Sequence, residues 1–402
     1  MRPNGTMAYG SSLRVRAPMS FTVGARRRGL MNLLNATAMP AVWTLGVDPS
    51  GREHVVVVVK GTFLIPDDRG PAEPAPADRQ VPLVMADTFT GEPGRSAPVH
   101  EAEFAWAKPR CDVLMNGTAH APGGRPAERV MVGVKLGAWQ KVFHVVGDRI
   151  WNRRLVAMTQ SAPEPFTTMP ITYDWAFGGV DDSDPSHLSA YARNPVGRGY
   201  AARRSIDWLR DWPVPNTEDP RDPVQVPWGD YVPMSFGPIA RGWQPRLALA
   251  GTYDQAWLDD VFPFLPADFD PRHFQAAPED QQIDEVRPGE EVVLLNLTPE
   301  GRTRFRLPTA LNLPVAFFPK RGEPEPTWAR LDTVLIEPDQ GVLCLVWRCT
   351  RPLRRNVFEL REVLVGRASP AWWRAKRLGK TYHPGLGALV RERRRVAEDA
   401  GA

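Results

Sequence analysis

The stretch Glu53–Ile65, EHVVVVVKGTFLI, decides the fold class. It is β-branched almost throughout and stops at Pro66, as a strand buried on both faces should. Its valine run, Val55–Val59, is also the most apolar part of the chain. With its neighbours it stays well short of the roughly 20 apolar residues that cross a bilayer, so no membrane insertion is expected.

Downstream, PDDRGPAEPAPADRQVP reads as a polar, proline-rich loop. CDVLMNGTAHA, RVMVGVKLG, KVFHVVGDRIW and RRLVAMT then read as consecutive antiparallel strands, separated by turn signals such as APGGRP and GDR. Val130, Val132, Val134 and Leu136 share one apolar face, which sends Met131, Gly133 and Lys135 to the other. Strands resume with EEVVLLNLT, RTRFRLP, PVAFFP, RLDTVLIEP, GVLCLVWRCT and NVFELREVLV, and EPDQG reads as a hairpin turn. Between these blocks, about 160–285, prolines and glycines interrupt nearly every segment. That region nevertheless carries Trp175, Trp208, Trp212, Trp228, Trp243 and Trp257, whereas a disordered linker is poor in aromatics.

The resulting expectation is a mainly β protein of antiparallel, sandwich-like sheets with an irregular Pro/Gly/Trp-rich middle and few short helices. Residues 31–365 form the domain, β-rich over 50–160 and 286–365. One short helix is expected near Thr252, with Asp254 to Leu258 in its first turns, and another at Ala371–Leu378. No fixed-period repeat argues for a solenoid or propeller.

The 402 residues include 42 prolines and 33 glycines, which fits many turns and short elements, and 43% are hydrophobic, as in a globular chain. The net charge of +4 sits at the two ends. Residues 1–30 hold six arginines and no acid, and residues 366–402 hold nine Lys/Arg against three Asp/Glu. Taking +6 from each end leaves residues 31–365 at −8. An acidic body does not track phosphates along a continuous face, so nucleic acid is not an expected partner. Cys111, Cys344 and Cys349 make no even disulfide framework, which favours a reducing, cytoplasmic setting. Arginines followed by GLMNLLNATAMPA resemble a signal peptide, but Asn32, Asn35 and Thr37 break the apolar stretch. Residues 1–30 are expected to be an upstream extension or disordered arm before Met31, and 366–402 a basic tail.

Candidate chemistry concentrates in LALAGTYDQAWLDDVFPFLPADFDPRHF, Leu247–Phe274. Its aspartates beside aromatic rings suit a carbohydrate-active hydrolase or a carbohydrate-binding module. The competing expectation is that Asp254 starts a helix and that Asp268 and Asp270 cap turns. Elsewhere the histidines are scattered without H-x-H or H-E-x-x-H spacing, and His100 falls on the strand face opposite Glu101 and Glu103, so no metal is expected. Asn194–Tyr200, NPVGRGY, lacks the order of a phosphate loop and reads as a tight turn. Asp181, Asp182 and Asp184 lack calcium-loop spacing, and Ser235 lacks the surroundings of a nucleophile elbow.

Several stretches occur together in one order: MNLLNATAMPAVW, GREHVVVVVKGTF, CDVLMNGTAHAPGGRP, VFHVVGDRIW, YDWAFGG, RNPVGRGY, and SFGPIARGWQPRLALAGTYDQAW through LPADFDPRHFQAAPEDQ. From about Met31 to Val365 the chain resembles the bacterial domain-of-unknown-function family encoded beside type VI secretion spike genes. The resemblance implies a non-catalytic adaptor or chaperone, without cofactor or metal. Its partners would be a secretion effector, a spike protein, or a spike-tip protein of the proline-alanine-alanine-arginine type. Trp243, Tyr253, Asp254, Trp257, Asp268 and Asp270 are then the candidate signature or partner-binding residues.

Overall fold

The computed structural model describes residues 31–67, 69–154, 157–184, 186–203 and 211–380, together with residue 390. The segment 1–30, Trp208 and most of the basic tail lie outside the described residues. The first long strands are β1 (Asn32–Asn35), β2 (Ala41–Val47), β3 (Glu53–Leu64) and β4 (Cys111–Met115). Next come β5 (Arg129–Leu136), β6 (Trp139–Val146), β7 (Glu291–Leu295) and β8 (Arg302–Arg306). The last are β9 (Leu313–Pro319), β10 (Glu325–Glu337), β11 (Val342–Pro352) and β12 (Leu360–Val365).

A ten-stranded sheet runs in the order β1-β12-β9-β10-β11-β3-β2, with β4 beside β10. It is antiparallel except for β1 on β12 and β4 on β10. The long strand β10 changes partner along its length. Its first residues pair with β9, from Arg330 it pairs with β11, and beyond the irregularity at Leu331/Thr333 it also takes β4 on its other side. The sheet curls almost into a barrel. Ala36 N–H donates to the carbonyl of Val365 in β12, and Pro40 accepts from Lys60 in β3, so residues 36–40 span from one end of the sheet to the other.

A five-stranded sheet, Thr217–Glu218, β6, β5, β7 and β8, packs on the same core. Val55, Val57 and Val59 of β3, Leu343, Leu345 and Trp347 of β11, and Val363 and Val365 of β12 meet Val130, Val132 and Val134 of β5, Phe143 of β6 and Phe305 of β8. The outer face of β3 is covered too, since Val56 and Val58 lie against Leu83, Phe104 and Trp106. This double burial accounts for the valine run, because each fully buried valine stabilises the fold by about 1.5–3 kcal/mol over an exposed one. Lys60, 1% exposed, continues that outer face and pairs with Glu103 at 3.0 Å.

The predicted run of consecutive hairpins holds only in part. CDVLMNGTAHA is two strands, because Asn116 N–H donates to Ile336 and its side-chain amide to Val99, so Gly117–His120 leaves the sheet and pairs with Thr168–Ile171. β4 takes a parallel partner more than 200 residues away, a choice that local turn chemistry does not govern. β5 and β6 do form the expected hairpin, whereas RRLVAMT, expected as one strand, is divided between Trp151–Arg154 and Ala157–Gln160, which pair with each other. All three cysteines are buried and unpaired, and burial pushes the thiols of Cys344 and Cys349 up to about 11 and about 12.

In the irregular middle, buried side chains hold the backbone in place of ladders. Asn194, fully buried, donates to the carbonyls of Tyr173 and Phe177. Gly197 and Gly178 pass so close to Asn194 that a Cβ on either would collide with it. Arg198 stacks over Trp175 at 3.8 Å and donates to Asn216. NPVGRGY is thus a structural knot.

Candidate interaction surface

The segment Leu247–Phe274 is anchored from below by one arginine. Arg246, 3% exposed, donates to the carbonyls of Ile239 and His273 and pairs with Glu101 at 2.6 Å. Burial alone would raise the Glu101 carboxyl, but Arg246 and then Arg241 hold it below its usual range. Behind this anchor, Asp112, fully buried, accepts from Gln275 and from Ala276 N–H while its other neighbour Lys108 pairs with it at 2.7 Å. Two buried ion pairs therefore hold the segment to the barrel, Arg246 with Glu101 at its start and Asp112 with Lys108 just beyond its end.

Between these anchors the aspartates act on backbone. Asp254 accepts from Trp257 N–H and caps the helix α1 (Gln255–Asp260). Asp270 accepts from Arg272 N–H at the head of the single turn Pro271–Phe274 and also pairs with the Arg272 side chain at 2.6 Å. Both caps match expectation. Asp268 does not cap its own turn; it reaches across to Thr252, accepting from its N–H at 3.0 Å and its hydroxyl at 2.8 Å. Gly251, at φ +83, is packed against Asp268 and Pro266, where a Cβ would have no room. Asp259 accepts from Gln255.

Hydrogen bonds from Arg272 and from Thr252 hold the Asp270 and Asp268 carboxyls below their usual range. A glycosidase acid needs the opposite shift.

The rings form a chain on the surface of this segment. Tyr253 meets Trp257 edge-on at 4.7 Å, Trp257 meets Phe262 at 5.6 Å, and Trp257 donates its indole N–H to the carbonyl of Phe264. α1 buries none of its residues. Leu247, Tyr253, Leu258, Phe262 and Phe264 are all large and exposed, Phe262 to 62%. One turn of helix and a Pro-rich loop thus present an apolar, aromatic platform edged by Asp254, Asp259 and Asp260.

Of the six predicted residues, Tyr253, Asp254, Trp257, Asp268 and Asp270 come together here. Trp243 does not. It is 6% exposed, packs edge-on against Tyr173 at 5.6 Å, and belongs to a separate small core with Ala97, Ala176 and Ile239. Phe262, Phe264 and Leu258 were missed by sequence reading, although FPFLP, with two phenylalanines held between prolines, was the available signal. The expected strand placing Glu101 and Glu103 on one face does not extend that far, since it ends at His100, and each residue has its own partner: His100 bonds Glu337, Glu101 pairs with Arg246, and Glu103 with Lys60.

Neither the curated proteins nor the solved structures contain a match to the chain. A family model does match, over residues 50–348, which is more than half of the chain and includes the whole platform. β1 and β12, which close the large sheet, lie outside the matched range. The chain belongs to the family described as uncharacterized protein conserved in bacteria (DUF2169).

Proposed function

We propose that the protein is a non-catalytic adaptor or chaperone that binds a type VI secretion effector, spike or spike-tip protein and assists its loading. The observation that carries this reading is the platform itself: five large apolar residues exposed within Leu247–Phe264, on a segment whose ends are locked by buried ion pairs. Contiguous exposed apolar surface of this kind marks a binding site, and aromatic anchors on a preorganised support lose little entropy on docking. The signature aspartates contribute shape, since three of them are spent on backbone N–H groups. A second reading follows from the same rings: Tyr253 and Phe262 would stack on sugar faces in a carbohydrate-binding module.

The test is co-purification of the tagged protein with the products of the neighbouring genes, for wild type and for Phe262→Ser/Phe264→Ser. Recovery of a spike, tip or effector protein by wild type and its loss in the folded double variant is the expected result. Equal recovery by both moves the contact off the platform, and recovery of none of these proteins overturns the adaptor reading. Retention on a polysaccharide column by wild type alone would favour the second reading.

A further inference from the structure

We infer that the open edge of β8 is a second docking site, built to accept an extended acidic segment of a partner protein as an added strand. β8 is the last strand of the five-stranded sheet. Its sequence, RTRFR, sends Phe305 into the core and Arg302, Arg304 and Arg306 to the other face. Its backbone follows the same alternation. Arg306 turns its N–H and C=O away from β7, donating to Gly70 and accepting from Ala72, and Asn296 N–H bonds Gly301 on the β7 side. Two-residue periodicity then directs the N–H and C=O of Arg304 and Arg302 to the same outer edge as those of Arg306. Among the described residues nothing pairs with them there.

The chain itself begins the missing strand and abandons it. Pro71 forms a single parallel bridge to Arg306, and just before it Arg69 adopts φ +63, a conformation that does not continue a strand. Where a strand would continue beside Arg304 and Arg302 there is a cavity of about 570 Å³. Arg302, Thr303 and Arg304 line one side of it, Ile65, Asp67 and Arg69 another, with Glu300 at the end. None of Arg69, Arg302 and Arg304 has an ion-pair partner among the described residues, although all three line this cavity.

An added strand would supply the backbone partners, and its alternate side chains would stand about 7 Å apart, the spacing of Arg302 and Arg304 along β8. Glu or Asp at those alternate positions would make charge-assisted, bidentate contacts. Lone arginines on an edge also deter aggregation, but that role requires neither the cavity nor the departure of the chain at Arg69. The inference stands on this edge alone and is independent of the secretion reading.

The test is a selection of displayed random peptides of about eight residues, an ordinary strand length, against the full chain, followed by fluorescence anisotropy of the enriched peptides. Expected are peptides with acids at alternate positions. Their affinity should fall about tenfold or more for Arg302→Glu/Arg304→Glu, and similarly when the peptide amides facing the edge are N-methylated. Circular dichroism and thermal melting would establish that the variant is folded. Enrichment of peptides without acids, no enrichment at all, or equal binding to the charge-reversed protein would overturn the proposal. Concentration-dependent dimerisation that the double variant abolishes, with no peptide binding, would identify a second copy of the chain as the occupant and overturn it too.

Discussion

The barrel and the irregular middle use the same residue types for opposite ends. In the barrel, Trp347 fills the core and Asp332 is a buried charge matched by Arg348 at 2.6 Å. In the platform, Trp257 lies at the surface with its indole tied to a loop carbonyl, and Asp254, Asp268 and Asp270 hold backbone amides. Ladders and apolar burial over long strands need no such side-chain bonds. A proline-interrupted segment has no ladder, so its backbone groups are satisfied one at a time by side chains. Stability should therefore be concentrated in the barrel and shape in the middle.

The sharpest test of that division is Arg348→Met. It leaves Asp332 buried without its guanidinium partner and should cost about 3–5 kcal/mol in urea unfolding, with Asp332→Asn in the same chain restoring part of it. Trp243→Ala should also be severe, about 3–5 kcal/mol, although Trp243 lies in the irregular middle. A small loss there would mean the middle is plastic even where it is packed. Asp254→Ala and Asp270→Ala remove caps and should each cost about 1 kcal/mol. Phe262→Ser should stay within about 0.5 kcal/mol of wild type while reducing partner recovery. A large loss of stability from Phe262→Ser would break the comparison.

A pH measurement sharpens it further. Partial burial pushes the Asp48 carboxyl up, but hydrogen bonds from Ser50 and His54 and from the N–H groups of Arg52 and Ser50 outweigh it and bring it down to about 2. A depressed folded-state value means the contribution is complete above the unfolded carboxylate range and is lost as pH falls toward 2. Asp48→Asn should therefore flatten the acid limb of stability between about pH 4 and 2.

The strands were legible because apolar runs and alternation act locally: the valine run, the hairpin Arg129–Val146 and the series from Glu291 to Val365 all appear where patterning put them. Strand partners were not legible. β4 lies parallel to β10 and β1 to β12 through contacts between residues hundreds of positions apart, and no periodicity encodes such a choice. In the candidate site, the capping roles of Asp254 and Asp270 follow from their positions before a helix and a Pro-led turn. The reach of Asp268 to Thr252 depends on a loop path that only the packed structure fixes. Trp243 and Trp257 could not be separated by sequence either, since each stands in an irregular, glycine-containing stretch and burial alone distinguishes them.

The parallel pairing of β1 with β12 has a temporal consequence. During synthesis Asn32–Asn35 leaves the ribosome more than 300 residues before its partner Leu360–Val365 exists. The large sheet cannot close before β12 has emerged, and the apolar residues of β2, β3 and β11 wait until then in an open, high-contact-order intermediate. Expression should consequently be more sensitive to truncation just before β12 than to loss of the helix Pro370–Arg377 that follows it.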